Sequence, residues 1–157
     1  MKTLEQWFDE YAISHQNPKN KAIHYICVPA IFFSIVGLLM SIPSQFIKGL
    51  LKINQPIIEN WAVIVLLLML LFYIRLSISM AIKIVVFSII CLILNYYIGQ
   101  FVSLWMFSIC VFIVAWIGQF YGHKIEGKKP SFLKDLQFLM IGPAWVLENI
   151  FTKKNKI

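Results

Sequence analysis

The residues of this chain best suited to chemistry are three histidines and one carboxylate: His15, His24, His123 and Glu126. His123 and Glu126 are three residues apart, a spacing that on a continuous helix puts their Cβ atoms about 5–6 Å apart on one face. Two or three imidazoles with one carboxylate form a metal-site inventory. Imidazole suits zinc, copper and iron, and two His plus one carboxylate with open positions is the donor set of non-haem Fe(II) oxygenases. The amides Asn17, Asn20 and Gln119 lie close in sequence to the histidines and could orient the rings from behind. Plainer readings stand beside this one. A histidine at a membrane edge also serves as an amphipathic anchor. Glu126 beside Lys124, Lys128 and Lys129 also reads as a solvated charge cluster, and Asn17-Pro18 is a turn signal.

These residues matter together only if the chain brings them together, and its composition says in which solvent that happens. Of its 157 residues, 60% are hydrophobic and 13% charged, against about 25% charged in soluble domains. Water cannot solvate most of such a surface, so the reading is an all-α integral membrane protein, residues 1–157 as one membrane domain. The net charge of +7 is accounted for by the positive-inside bias and anionic headgroups, so membrane lipid and no nucleic acid is the expected partner. Cys27, Cys91 and Cys110 are odd in number and sit in apolar runs, without disulfide or zinc-ribbon spacing. The first 21 residues are polar and of mixed charge, which is not the pattern of a cleavable signal peptide.

A helix needs about 20 apolar residues to cross the hydrocarbon core. Four spans are predicted within 22–120: Ala22–Ile42, Trp61–Ile74 with its flanks, Ala81–Ile98 and Phe101–Phe120. Gly99-Gln100 is read as the break between the last two. Arg75 and Lys83 would snorkel from the 75–83 loop. Four spans put 12 of the 14 basic residues on the side of both termini, leaving Lys48 and Lys52 opposite. Both termini are therefore expected in the cytoplasm, and all three histidines on that side. Such a chain would lie in the inner membrane of a bacterium or the endoplasmic reticulum of a eukaryote.

Residues 1–21 read as a cytoplasmic helix and turn. Thr3 and Gln6 form a capping box, and Leu4, Trp7, Phe8 and Tyr11 share a face, so the helix is expected to lie on the membrane and to stop at Asn17-Pro18. In 121–157, Phe132–Phe151 is apolar but holds Lys134, Asp135 and Glu148. With Gly142-Pro143 midway, it reads as two short interfacial or re-entrant helices. Asn95 and Gln100 deep in the spans read first as interhelical hydrogen-bonding groups.

Two blocks resemble the 2-hydroxy fatty acid dioxygenase family of small membrane proteins. One is Tyr11-Ala-Ile-Ser-His15-Gln-Asn17-Pro18-Lys-Asn20-Lys-Ala-Ile-His24-Tyr-Ile-Cys-Val-Pro29. The other is Trp116-Ile-Gly-Gln119-Phe120-Tyr-Gly122-His123-Lys-Ile-Glu126-Gly-Lys-Lys-Pro130. The family usually has Pro-Ala where this chain has Pro130-Ser131, and often one more residue between His and Glu. The resemblance implies Fe(II)-dependent α-oxidation, in which a 2-hydroxy fatty acid and O2 give the one-carbon-shorter fatty acid and CO2. It implies His15, His24 and His123 as iron ligands, with Glu126 as a fourth ligand or a base. Asn17, Asn20 and Gln119 would orient the imidazoles or bind the substrate carboxylate. A 2-hydroxy carboxylate can chelate a metal through both oxygens, and Lys124, Lys128 and Lys129 would favour its anionic head. The competing expectation is a non-catalytic membrane scaffold or accessory subunit, which would be favoured if His15 and His123 stood far apart.

Overall fold

A computed structural model of the chain describes residues 2–127 and 132–153. Among the described residues there are seven helices: α1 Leu4–Ile13, α2 Pro18–Ser41, α3 Gln45–Leu51, α4 Trp61–Leu76, α5 Ile78–Phe101, α6 Leu104–Glu126 and α7 Phe132–Lys153. Three of them, α2, α5 and α6, are long and apolar enough to cross a membrane. The fourth apolar helix, α4, has 16 residues, which reach about 24 Å at 1.5 Å per residue. Lys128, Lys129, Pro130 and Ser131 lie outside the described residues.

The capping box of α1 is formed in both directions, Thr3 Oγ1 accepting from Gln6 N and Gln6 Oε1 from Thr3 N. The apolar face of α1 packs against α7. Tyr11 is buried in a cluster with Val28, Ile141, Trp145 and Val146, and Trp7 and Phe8 pack against it. Helix α1 thus shares this cluster with α2 and α7. Asn17 caps α2 by accepting from Lys19 N, and Pro18 takes the first helical position, where its missing N–H costs nothing. Helix α2 therefore begins before Ala22 and carries His24 in its second turn.

Several expected boundaries shift. Gly99 and Gln100 are helical, and the break between α5 and α6 falls at Val102–Ser103. The 75–83 loop shrinks to Ser77, which ends α4 and caps α5 by accepting from Met80 N. Lys83 is consequently inside α5. It meets Glu148 of α7 at 2.6 Å.

Helices α2 and α6 form the main packing interface, and two glycines on α6 make it close. A Cβ at Gly118 would stand 2.6 Å from Cys27 Sγ, and one at Gly122 would stand 2.4 Å from Asn20 Oδ1. Gly118 and Gly122 are four apart, the small-xxx-small spacing that lets helix backbones approach in lipid. Farther along α2, Gly37 faces Asn95 of α5 and Ser108 of α6. Asn95 donates to the Phe33 and Cys91 carbonyls, the interhelical role expected for it, while Gln100 donates to Tyr96 O at the surface.

Helix α7 is one helix, not two, with Pro143 inside it. Proline removes an N–H and disrupts the preceding turn. Here the Tyr73 hydroxyl from α4 donates to Met140 O in that turn, and Ile141, Ala144, Trp145 and Val146 are buried. Gly142 serves close packing: a Cβ there would lie 3.1 Å from Val28. Burial of this face offsets the break, so the helix continues.

Candidate metal centre

Three elements each supply one imidazole. His15 sits in the turn between α1 and α2, His24 in α2, and His123 in the last turn of α6. The ring centroids are 4.3 Å apart for His15 and His24, 5.0 Å for His24 and His123, and 5.4 Å for His15 and His123. One ligand atom from each lies within 4.8 Å of the others, and all three side chains are buried. Residues 99 apart in sequence are thus neighbours, through the Gly118/Gly122 seam.

The tautomers are set by carbonyls, which can only accept. His15 Nδ1 donates to Tyr11 O at 2.6 Å and His24 Nδ1 donates to Asn20 O at 3.0 Å. Each neutral ring then carries its lone pair on Nε2. These two Nε2 atoms are buried and have no hydrogen-bond partner. A buried unsatisfied polar atom costs about 1–3 kcal/mol, so two of them in a cluster of three imidazoles form a group that could hold a metal ion. The donor set, buried neutral imidazole, fits zinc, copper or iron.

His15 is stacked on the Tyr11 ring, with centroids 4.0 Å apart and planes within 5°. Burial, with His123 and Lys21 acting in the same direction, lowers its pKa to about 4, against the opposing Tyr11 carbonyl and Glu126. It is therefore neutral and ligand-competent at physiological pH. The depressed value also sets a sign. Between pH 6.5 and about 4 the unfolded chain binds a proton at this position that the folded chain does not, so stability falls as pH falls through that window and levels off below it. Thermal unfolding of the metal-free protein should show this slope, and His15→Asn should reduce it.

Glu126 is placed differently from the three rings. Its Oε1 accepts from Gln16 N at 2.8 Å, and its Oε2 accepts from Asn17 N at 2.9 Å and Asn20 Nδ2 at 3.0 Å. Among the described residues the cluster of metal-ligand side chains is the three histidines, without this carboxylate. Asn17 spends its side chain on the α2 cap. Asn20, fully buried, links the centre: Nδ2 also donates to Ser14 O at 3.2 Å, and its backbone carbonyl holds His24. Gln119 lies beside the His24 ring and lines a narrow recess with His15, His123, Trp116 and Val28. Glu148 is paired with Lys83.

The chain matches, over residues 1–154, a family model described as 2-hydroxy-palmitic acid dioxygenase Mpo1-like. The chain belongs to the Mpo1-like family. No curated protein and no solved structure matches it. The sequence blocks that suggested a 2-hydroxy fatty acid dioxygenase family thus led to the same family. In this Mpo1-like protein the two blocks are the two halves of the histidine cluster, the first supplying His15 and His24 and the second His123.

Sequence reasoning missed several parts of the centre. Gly118 and Gly122 carried a readable signal, their four-residue spacing in an apolar helix. Tyr11, on the stripe expected to lie on the membrane, stacks on His15 instead. Trp116, part of the second block, has its indole Nε1 buried without a partner beside the recess. Trp145, whose ring is 5.8 Å from His15, had no local signal.

Proposed function

We propose that this protein is an Fe(II)-dependent dioxygenase that shortens a 2-hydroxy fatty acid by one carbon. The observation that carries the reading is the buried three-histidine cluster with two lone-pair nitrogens unspent, in a chain of the Mpo1-like family. The short distance between His15 and His123 also disfavours a scaffold with no centre. The reaction balances as R–CHOH–COOH + O2 → R–COOH + CO2 + H2O. The substrate supplies all four electrons, so no external reductant is needed.

His15, His24 and His123 hold the ion. When bound, iron supplies O2 chemistry and a chelating position for the substrate's hydroxyl and carboxylate. The Tyr11 and Asn20 carbonyls keep the Nδ1 protons in place and the Nε2 lone pairs directed inward. The Tyr11 ring and Trp145 cover His15 and exclude water. Gln119, in the recess, is the amide placed to orient the substrate head. We further propose a four-span arrangement in which α4 is the shortest span. The centre then lies at the cytoplasmic edge, where the basic residues concentrate, and the acyl chain stays among apolar helices.

Purified protein loaded with Fe(II) is expected to consume one O2 per 2-hydroxypalmitate and release one CO2 without added reductant. An oxygen electrode and product analysis check this. Stoichiometric iron without turnover of any 2-hydroxy fatty acid would refute the activity.

A further inference from the structure

Glu126 is a carboxylate next to the His15-bearing turn, and its three hydrogen bonds point to a task other than ligation. We infer that Glu126 is a positioning residue that locks the His15-bearing turn to α6 and so fixes the His15–His123 spacing. The inference rests on the metal-binding reading above.

Both oxygens are engaged, and their donors are well placed for this role. Gln16 N and Asn17 N belong to the two residues that follow His15, and Asn20 Nδ2 reaches both Glu126 and Ser14 O, just before it. The turn is thus gripped on both sides of the ligand. The anchor itself is firm, because Glu126 shares the last turn of α6 with His123. Gly127 ends that turn at φ +71°, its N–H donating to the His123 and Lys124 carbonyls. Asn20 extends the grip to the third ring, since its carbonyl holds His24 Nδ1. One carboxylate therefore indexes the segment 14–20 against the helix that carries His123. Hydrogen bonds from backbone amides to a charged acceptor are stronger than neutral ones, and partners that orient a metal ligand typically influence affinity by about 10–100-fold.

The far end of the molecule provides a matched control. Glu59 also accepts two backbone amides, Ile53 N at 2.8 Å and Gln55 N at 3.1 Å, and is likewise built into a loop. It differs in lying before α4, away from the histidines.

The test compares wild type, Glu126→Gln and Glu59→Gln as full-length detergent-purified protein, with Co(II) as the metal probe. Glu126→Gln is expected to weaken Co(II) binding about 10–100-fold while leaving the visible-band positions unchanged. It should also speed hydrogen exchange at amides 14–20 in the metal-free protein. Glu59→Gln should leave Co(II) affinity and that exchange as in wild type. Shifted bands in Glu126→Gln would show a lost oxygen ligand and overturn the inference. Unchanged affinity and exchange would overturn it as well, and so would equal weakening by both variants. If wild type binds no Co(II), Fe(II) or Zn(II), the metal reading itself fails. The exchange data then decide the lock alone, with faster exchange in Glu126→Gln supporting it and unchanged exchange overturning it.

Discussion

His24→Ala is expected to leave the protein folded, without bound iron and without dioxygenase turnover. His24 is fully buried, its Nδ1 is engaged by Asn20 O, and its Nε2 has no protein partner. Removing it takes one of three imidazoles from the cluster. Changing a residue that merely orients a ligand costs about 10–100-fold in affinity, and losing the ligand itself should exceed that. The stability effect has two opposing parts. A buried side chain is lost, but an unpaired buried nitrogen goes with it, so the metal-free variant should retain a wild-type elution profile. His24→Gln, which keeps most of the volume, guards against a cavity artefact. Metal analysis beside O2 uptake is the measurement. Stoichiometric iron in both variants would show that His24 does not hold the ion.

Gly122→Ala should damage stability and metal binding together. Its Cβ would meet Asn20 Oδ1 at 2.4 Å and the His24 ring at 3.3–3.4 Å. Asn20 cannot swing aside cheaply, since Nδ2 is held by Ser14 O and Glu126. Overpacking of this kind costs about 1–3 kcal/mol, and relief by shifting His24 would move a proposed ligand. Gly49 in α3 is the contrast, because a Cβ there meets nothing within 4 Å. Gly49→Ala should be neutral or stabilising by up to about 1 kcal/mol. Melting temperature and metal affinity measured on both variants separate the two cases. A Gly122→Ala protein that melts and binds metal like wild type would mean the α2–α6 seam is looser than described.

How much of this was legible beforehand depended on whether the signal was local. The long apolar runs marked the apolar helices, three of them long enough to cross a membrane, and Thr3, Gln6, Asn17 and Pro18 marked the caps, whose effects act within one helical turn. The convergence of His15, His24 and His123 was legible only as a matter of topology, three imidazoles expected on one side. Their contact depends on glycines 118 and 122, whose spacing was there to be read. The task of Glu126 was not legible, since its donors lie about 110 residues away. Nor was the path of α1. An amphipathic stripe has the same periodicity whether it covers lipid or another helix, and only the buried face of α7 decides between them. The continuity of α7 through Pro143 follows the same logic, because the hydroxyl that serves its broken turn comes from Tyr73, in α4.

The separation of the two histidine blocks also orders events in time. A ribosome that has made His15 and His24 has supplied two of the three clustered imidazoles, and nearly a hundred further residues must be added before His123 joins them. On the proposed reading, metal capture is therefore deferred until α6 has been synthesised. If the proposed iron site is right, incomplete chains are spared a loosely held redox ion, and metal loading becomes a marker that the polypeptide has been assembled through α6.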